Sequence, residues 1–469
     1  MNPRRVRIPV AIATVLVALG AGVSPASGRG LILGFGDRAF KEAGREVALD
    51  RAVSANAQFA RINVAWSSVA PTRPANPANP ADPAYRFAEI DNAIRAAASR
   101  GLTVLLEVGN APPWAEGPNR PSFDEARAGT WRPDPAAYGQ FARAVATRYS
   151  GAFSPGIGQA PLPAVARFQA GNEPNLATYL TPQWSGGRLE AARLYRELLT
   201  SFYEGIKAIS PGATVVTAGT GPYGEDPGGR RSRPLAFLRE MLCLNGSSLS
   251  AAGCSRPVPF DVLAHHPINA FQPFRSADHP DDATTPDIGE VRNLLRRAER
   301  AGRVRPAGAH PIWVTEFWWE SNPPDQRYGV PERTQARYIA EALYLFWKQR
   351  VPVALGLQVA DDPIDGSNPG DTFQTGLLFA DGRPKDALTA FRFPVVATKK
   401  RRKTHVWGRA PVAGRVTIQF RRDGRWRTAK RVAVREDEVF YERVRAAGRS
   451  VRARAAGAQS LPYPVRRGN

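Results

Sequence analysis

Apolar residues along this chain follow two alternating patterns from residue 31 to about residue 360. Short apolar, often β-branched runs alternate with longer stretches in which apolar positions recur every three or four residues. The short runs predict strands at 31–35, 60–66, 102–108, 164–170, 213–218, 260–265, 311–315 and 353–359. The longer stretches predict helices at 40–57, 87–100, 138–149, 188–209, 235–242, 288–301 and 334–349, with a closing helix near 381–388. Eight such units predict an α/β fold, a closed (β/α)8 TIM barrel, since parallel strands buried on both faces have continuous apolar runs.

After Phe393 the pattern changes to strict alternation. Buried-type residues at 416, 418 and 420 alternate with polar ones before an Asp423-Gly424 turn, and further strands are predicted at 425–436, 438–445 and 450–455. The barrel is therefore expected over 29–394, a basic linker over 395–403 and a small all-β module over 404–469. That module has few apolar residues, so we expect it to lean on the barrel or on a ligand.

The amino terminus has the layout of a secretory signal peptide. Basic residues precede an uncharged apolar run at 8–22, and small residues suited to cleavage follow at 25–28. A membrane anchor is the alternative, but this run is shorter than the roughly 20 residues that a spanning helix needs. We expect a signal peptide over 1–28 and a secreted or cell-surface protein with no stable membrane insertion afterwards.

The cysteine and histidine content limits the redox and metal chemistry. Only Cys243 and Cys254 occur, and in an exported protein they favour a disulfide over two buried thiols. Two cysteines cannot form a zinc site alone, and the five histidines form no ligand cluster along the chain. No metal and no cofactor are expected.

Positive charge is concentrated at the carboxyl end. Residues 395–469 hold 21 Lys and Arg against 5 Asp and Glu, and the rest of the chain is close to neutral. Two interpretations are open for this module. One is a tether to an anionic cell-wall polymer or acidic polysaccharide. The other is a solvated basic surface that reflects a compositional bias, since Arg outnumbers Lys 56 to 8 in the whole chain. Nucleic acid is not an expected partner, because export removes it.

Two glutamates are predicted at strand ends. Glu173, in Gly-Asn172-Glu173-Pro, follows the fourth strand, and Glu316, in Trp-Val-Thr-Glu316-Phe, ends the seventh. Active sites of such barrels lie at the carboxyl ends of the strands. An isolated glutamate is more often part of a surface ion pair, but two acids on one rim can act as proton donor and nucleophile on a glycosidic bond. Arg61, on the second strand, could keep the nucleophile ionised.

These motifs together resemble the retaining glycoside hydrolases of clan A, which include cellulase-type endoglucanases and β-xylosidase-like enzymes. The resemblance spans about residues 31–394 and also rests on Ala-Pro-Pro-Trp114, on Asp261-Val-Leu-Ala-His265-His266-Pro and on the 381–388 segment. It implies that Glu173 is the acid/base and Glu316 the nucleophile. It also implies that Asn172 binds the sugar 2-hydroxyl and that Arg61 orients Glu316.

The chain departs from this family at two positions. Ile268 replaces a strand-six tyrosine that would contact the nucleophile, and Gln358 stands where many members have a sugar-stacking Trp on strand eight. Of His265 and His266, one is expected to face the site. Further substrate contacts are predicted from aromatic side chains, with barrel-rim core as the alternative for each: Trp66, Trp114, Trp318 and Trp319.

The sequence thus predicts an exported retaining glycosidase acting on a plant- or wall-type polysaccharide or oligosaccharide. An exo-acting, xylosidase-like β-glycosidase and a noncatalytic polysaccharide-binding barrel are the alternatives. Long loops at 71–85 and 109–135 suit substrate walls, although a disordered insertion is an equal alternative for 71–83. The Gly219-Thr-Gly221-Pro-Tyr-Gly224 segment fits a dinucleotide fingerprint, but no helix follows it, so no nucleotide site is predicted.

Overall fold

A computed structural model describes residues 30–244, 254–364, 366, 368–445 and 448–467. The predicted signal peptide over 1–28 lies outside the described residues. The (β/α)8 barrel followed by antiparallel sheets is confirmed. The barrel strands are β1 (Ile32–Gly36), β2 (Phe59–Ala65), β3 (Thr103–Gly109), β4 (Arg167–Ala170), β5 (Thr214–Thr217), β6 (Leu263–His265), β7 (Ile312–Phe317) and β8 (Val353–Leu357).

The eight strands are parallel and follow the order β5-β4-β3-β2-β1-β8-β7-β6. The sheet closes between β5 and β6 through parallel bridges that pair Val216 with Val262 and Thr220 with His265. Because every strand runs in the same direction, all the carboxyl ends meet at one rim. This is the rim on which both predicted acids were expected.

The helices follow the strands in turn and cover the outside of the barrel. They are α1 (Arg45–Ser54), α2 (Ala88–Ser99), α3 (Pro135–Arg148), α4 (Glu190–Ile209), α5 (Pro234–Met241), α6 (Ile288–Arg300), α7 (Glu332–Lys348) and α8 (Asp386–Arg392). In α4, Leu194, Leu198 and Phe202 recur at intervals of four and are buried. This spacing forms one apolar stripe that packs inward.

The barrel interior is layered from apolar to polar. Its lower part is a separate apolar cluster that comprises Phe59, Leu105, Val216, Val262, Ala264, Trp313, Val353 and Leu355. Two residues further along β2 and β3, the same inward face carries Arg61 and Glu107, since side chains alternate along a strand. The polar residues therefore lie above the apolar cluster, at the carboxyl-terminal rim of the barrel.

Strand β7 breaks this alternation at the point where it matters for the site. Its pairing with β8 shifts register between Val314 and Phe317. A bulge of this kind leaves two successive residues opposite one on the neighbouring strand. Thr315 and Glu316 consequently both reach the polar upper layer, where regular alternation would send them to opposite faces.

The carboxyl-terminal module consists of two antiparallel sheets. Its main strands are β9 (Val395–Lys400), β10 (Lys403–Arg409), β11 (Gly414–Arg422), β12 (Arg425–Val434), β13 (Val439–Val444) and β14 (Ser450–Ala455). The expected linker over 395–403 is instead strand β9 and the tight turn into β10. Val395, Val396 and Ala397 are buried, so apolar packing makes this segment part of the sheet despite the basic residues that follow.

The module leans on the barrel, as its small core led us to expect. Trp407 is buried against Tyr344 and Trp347 of α7, with ring centroids 5.6 and 6.1 Å apart. The fully buried Arg409 donates from Nε to the carbonyl of Leu31, which precedes β1. The module therefore packs on α7 and on the amino-terminal end of the barrel, away from the rim that carries the acids.

Two smaller expectations concern covalent and loop structure. The predicted disulfide between Cys243 and Cys254 is present. The 71–85 loop is a series of turns, in which the Asp82 carboxylate accepts from the backbone N–H groups of Asn76 and Ala84.

Among the described residues, no helix combines the length and apolar character needed to cross a bilayer.

Candidate active site

The two predicted acids come to the same rim from opposite sides of the barrel. Glu173 lies three residues past β4, and Glu316 lies on β7. The backbone of Glu173 has a φ of 35°, in the left-handed region that few non-glycine residues adopt. Its N–H donates to the carbonyl of Gly219, which helps to hold this conformation. Such strain is typical of functional positions that the surrounding structure fixes.

Arg61 of β2 contacts most of the polar upper layer. Its guanidinium donates from one terminal nitrogen to Oε2 of Glu316 at 3.3 Å and from the other to Oδ1 of Asn172 at 2.7 Å. Its Nε donates to Oε1 of Gln169 at 2.8 Å. The Asn172 oxygen accepts from Arg61, and its amide also lies beside the Tyr179 hydroxyl, so one of its two N–H groups remains to donate to a ligand above the rim.

His266 stands between the two acids. Its Nδ1 lies 2.9 Å from Oε1 of Glu173 and 3.8 Å from Oε2 of Glu316. The side chain of His266 is fully buried, and burial lowers its pKa to about 4, while the charge of Glu316 opposes this shift and that of Arg61 adds to it. The imidazole is therefore neutral at neutral pH and carries a single proton.

Neighbouring hydrogen bonds determine which nitrogen of His266 carries that proton. Arg61 can only donate, so Gln169 accepts through Oε1, and its Nε2 donates to the carbonyl of Thr217 and to Oγ1 of Thr315, both at 3.1 Å. The buried Thr315 hydroxyl has one proton, and among the described residues its only acceptor is Nε2 of His266 at 2.9 Å, so we assign it as the donor to this nitrogen. The proton of His266 is left on Nδ1, which donates to Oε1 of Glu173.

This ordered chain from Arg61 to Glu173 leaves the two oxygens of Glu173 unequal. Oε1 accepts from His266, whereas Oε2 has no hydrogen-bond partner among the residues described. A proton on the Glu173 carboxyl group therefore belongs on Oε2, where it can be donated to a ligand. Burial raises the pKa of Glu173 to about 7, against the opposing charge of Arg61, so the protonated form is well populated near neutral pH.

Glu316 has a different electrostatic setting. Its pKa is raised, mainly by burial and further by the charges of Glu173 and Glu107, while the neighbouring His266 and Arg61 oppose the shift. Its direct ion pair with Arg61 favours the ionised form. The two acids thus have unequal neighbours: Glu173 has a neutral donor, and Glu316 has a permanent cation.

A glycine permits the close approach of His266. A Cβ on Gly219 would lie 2.1 Å from Nε2 of His266, which is impossible without moving the imidazole. Gly219 belongs to the segment that fits a dinucleotide fingerprint, and here it makes room for His266.

Of the two adjacent histidines, only His266 reaches the site. His265 is also buried, and its Nε2 donates to the carbonyl of Ala283 while its Nδ1 accepts from the hydroxyl of Thr220, both at 2.9 Å. Burial lowers the pKa of His265 to about 4. It connects β6 to neighbouring loops and is not positioned to touch a substrate, in contrast to its predicted role.

Two of the four tryptophans predicted to contact substrate are core residues. Trp66 is 1% exposed and stacks on Phe141 at 5.3 Å with an 11° interplanar angle. Trp319 is 4% exposed and donates from Nε1 to the carbonyl of Phe271. Neither ring has a face free for a sugar, because neighbouring side chains already cover both.

The other predicted contact residues remain near the rim. Trp114 is half-buried after β3 and donates from Nε1 to the carbonyl of Ala70. Trp318 is half-buried two residues beyond Glu316, edge-to-face with Phe373. Gln358 is buried just after β8, where its amide donates to Asp362 and to the carbonyl of Phe373, so it serves the loop more than an open site.

Five site residues were not anticipated from the sequence: Asn63, Glu107, Gln169, Tyr179 and Thr315. Gln169 and Thr315 determine where the proton of His266 lies. The carboxylate of Glu107 lies 3.7 Å from Arg61 and accepts from Asn63 at 2.5 Å. The carboxylates of Glu173, Glu316 and Glu107 help to raise the pKa of Tyr179 after burial, and Asn172 lies beside its hydroxyl. A carboxylate inside the apolar run of β3 was the one available signal, since unpaired charges are rarely buried.

The described part of the chain contains no group of three or more His, Cys, Asp or Glu side chains arranged to hold a metal ion.

Comparisons with known proteins agree with this fold. A family 39 glycoside hydrolase from Bacteroides cellulosilyticus WH2 has a TM-score of 0.56 and 16% identity, covering 88% of this chain and 80% of that one. A glucosidase from Croceicoccus marinus has a TM-score of 0.54 and 14% identity, covering 91% and 96%. The GH39 enzyme from Xanthomonas axonopodis pv. citri has a TM-score of 0.52 and 16% identity, covering 90% and 92%.

These identities are low, so the likeness is one of fold. The chain has the same barrel fold as these glycosidases, and the resemblance noted in the sequence is confirmed at the level of the fold. No family model and no curated protein matches the sequence.

Proposed function

We propose that the protein is a retaining glycoside hydrolase in which Glu173 is the acid/base and Glu316 the nucleophile. The observation that carries this proposal is the position of one neutral imidazole nitrogen, 2.9 Å from Glu173 and 3.8 Å from Glu316. Because one oxygen of each carboxyl group lies near the same nitrogen atom, the two groups are close together. This favours the separation of about 5–5.5 Å found in retaining enzymes over the separation of about 6.5–9.5 Å found in inverting ones.

The first step breaks the glycosidic bond. The carboxylate of Glu316 attacks the anomeric carbon, while Glu173 gives its Oε2 proton to the departing glycosidic oxygen. The leaving group departs as an alcohol, and the sugar is left as an ester on Glu316. Arg61 keeps Glu316 ionised before the attack, and the remaining Asn172 N–H donates to the sugar hydroxyl next to the reacting carbon.

The second step releases the sugar. The Glu173 carboxylate accepts a proton from water, whose oxygen attacks the anomeric carbon and displaces Glu316. Two inversions give net retention of configuration, and both carboxyl groups return to their starting protonation states. The role reversal of Glu173 requires a pKa near the working pH, which its burial supports.

The substrate is proposed at the level of a β-linked oligosaccharide or polysaccharide of the plant or wall type, acted on outside the cell. Export is proposed from the basic and apolar amino-terminal sequence alone. Trp114 and Trp318 at the rim are only half-buried, and aromatic side chains at such positions can contact sugar rings, which supports a carbohydrate ligand.

The test starts with aryl β-glycosides and with xylan, β-glucan, mannan and arabinan. We expect at least one of these substrates to be hydrolysed. NMR should show that the product first formed has the same anomeric configuration as the substrate. A 2-deoxy-2-fluoro glycoside with a good leaving group should add one sugar mass to the peptide that contains Glu316. Glu316→Gln should abolish both turnover and labelling.

Glu173→Ala provides the matched variant for the acid/base. We expect it to lose activity on substrates with poor leaving groups. With an activated aryl glycoside, whose glycosyl ester still forms, added azide should restore turnover, since azide needs no base to attack that ester. A protein that binds these polymers without releasing product, unchanged by Glu316→Gln, would be the noncatalytic alternative. Inverted product would exclude the proposed second step.

A further inference from the structure

The β-sheet formed by β12, β11 and β14 has one face turned inward and one turned outward. Residues paired directly across antiparallel strands point to the same face. Val416, Ile418 and Phe420 of β11 and their β14 partners Val451 and Ala453 are all buried. The intervening residues of β11 must therefore point to the outer face.

Three cross-strand rows make up this outer face. Pairing across β12, β11 and β14 gives the rows Arg431–Thr417–Arg454, Thr428–Gln419–Arg452 and Trp426–Arg421–Ser450. Rows two residues apart on β11 and β14 are separated by about 7 Å, and the neighbouring strands by about 4.8 Å. Four guanidinium groups and one indole ring are thus presented on one small, regular surface, which we call the outer face.

The four arginines of the outer face have no acidic counterparts. Among the described residues, none of Arg421, Arg431, Arg452 and Arg454 has a carboxylate oxygen within 4.0 Å, the limit that defines the ion pairs found elsewhere in the chain. In contrast, Lys430 on the other side of β12 pairs with Glu442 at 2.5 Å. Like charges placed together without acids repel one another, which a protein surface avoids where it has no use for them.

The indole ring gives the outer face a second kind of contact. Trp426 is half-buried, and the guanidinium carbon of Arg452 lies 4.4 Å from its ring centroid. Nε of Arg452 donates to Oε1 of Gln419 at 2.9 Å, which fixes the guanidinium in place. A fixed guanidinium beside an aromatic ring is suited to a ligand that has both a carboxylate and an apolar sugar face.

We infer that the outer face binds an acidic polysaccharide rich in uronate residues. A neutral glycan would leave four guanidinium groups without partners, and a simple solvated surface needs no ordered Trp426–Arg452–Gln419 contact. Single-stranded nucleic acid is usually held by several aromatic side chains along its path, and this face has one. The proposal concerns a surface separate from the catalytic rim and does not depend on the catalytic proposal.

The experiment measures binding of galacturonate oligomers of uniform length to the whole chain by titration calorimetry. It is done in the Glu316→Gln background so that no glycosidic bond is cleaved. The ligand control is the same oligomer with its carboxylates methyl-esterified. One variant changes Arg421, Arg431, Arg452 and Arg454 together to Gln. Its matched control changes four exposed arginines outside the outer face to Gln: Arg422, Arg427, Arg443 and Arg445.

We expect the outer-face variant to raise the Kd at least 10-fold and the equally charged control variant to raise it less than 3-fold. Trp426→Ala should raise the Kd about 5-fold, and the methyl ester should bind at least 10-fold more weakly than the acid. Equal losses in the two four-arginine variants would overturn the proposal, because net charge alone would then account for binding. Tighter binding of single-stranded DNA of equal charge would also overturn it, as would no measurable binding at low salt.

Discussion

His266 and Glu173 are joined by a hydrogen bond whose direction is determined by Thr315 of β7 and Gln169 of β4. Nδ1 of His266 donates to Oε1 of Glu173 at 2.9 Å because Nε2 accepts from the Thr315 hydroxyl, which in turn accepts from Gln169. The same Gln169 accepts from Arg61, which contacts Glu316. Glu173 and Glu316, the proposed proton donor and nucleophile, thus belong to one hydrogen-bonded network, which leaves Oε2 of Glu173 without a partner among the described residues.

Thr315→Val tests whether this network positions the acid/base. Without the hydroxyl, nothing fixes the proton of His266 on Nδ1, so Glu173 loses its ordered donor. We expect kcat to fall about 10- to 100-fold with little change in KM, since proton transfer and not binding is affected. The basic limb of the pH profile should also shift.

Thr315→Ser is the control for this change, because it restores a hydroxyl at the same place and should recover most of the activity. Thermal unfolding of both variants separates a folding defect from a catalytic one. An unchanged pH profile in Thr315→Val, with kcat close to that of the native chain, would contradict the positioning role.

The pH dependence of kcat/KM should reflect both acids. Glu173 must be protonated to donate, and burial raises its pKa to about 7, so the rate should fall as pH rises through about 7. Glu316 must be ionised to attack, so the rate should also fall at low pH as this carboxylate gains a proton. A bell-shaped profile measured with an aryl glycoside checks both limbs.

The basic limb can be assigned with Glu173→Ala. On a dinitrophenyl glycoside, whose leaving group needs no proton, this variant should keep the acidic limb and lose the basic one in the glycosylation step. A basic limb that persists in Glu173→Ala would mean that another group titrates near 7.

The sequence predicted those parts of the molecule that depend on periodicity. Apolar runs and helical spacing define the barrel because burial on both faces of a parallel sheet demands them, and the rim positions of Glu173 and Glu316 follow from strand direction. Side-chain partners were harder to predict. Gln and Thr occur in many strands, so residue type alone did not single out Gln169 or Thr315. Only the register shift after Val314 brings Thr315 and Glu316 into the same layer.

Composition misled the prediction at two places for different physical reasons. Trp66 has the same ring whether it stacks on Phe141 or on a sugar, so residue type alone could not separate core from contact surface. At 395–403, the basic residues indicated a linker, whereas the three apolar residues before them are buried and pair β9 with β10. A short apolar run next to a charge cluster was the available signal.

The disulfide should contribute measurably to stability. Cys243 and Cys254 are eleven residues apart, and closing a loop of this size in the unfolded chain is worth about 3 kcal/mol in the chain-entropy description. We expect the double change Cys243→Ser and Cys254→Ser to lower the free energy of unfolding by about 2–3 kcal/mol in urea titration. Reductant should lower the stability of the native chain to the same level and leave the double variant unaffected. Equal stability of both proteins without reductant would contradict this.

Glu320 lies outside the proposed catalytic pair. Its burial should make the fold less stable at pH 7 and above than at acidic pH. Its Oε2 accepts from the N–H of Gln374 at 2.6 Å. Burial raises the pKa of Glu320 from 4.5 to about 7, the Gln374 bond lowers it, and the charges of Asp325 and Asp361 raise it. Between these pH values the folded chain binds more protons than the unfolded chain, so stability falls as pH rises toward 7.

Glu320→Gln removes this titration and retains an oxygen that can accept from Gln374. We expect equal stability of variant and native chain near pH 4.5 and a gain of about 1–2 kcal/mol for the variant at pH 8, less than the full shift would give because the side chain is only half-buried. Urea titration at the two pH values measures the difference. The exposed Glu125→Gln is the matched control and should change stability at neither pH, since its charge is already solvated. A gain of the same size at both pH values would point to packing and not to the carboxylate charge.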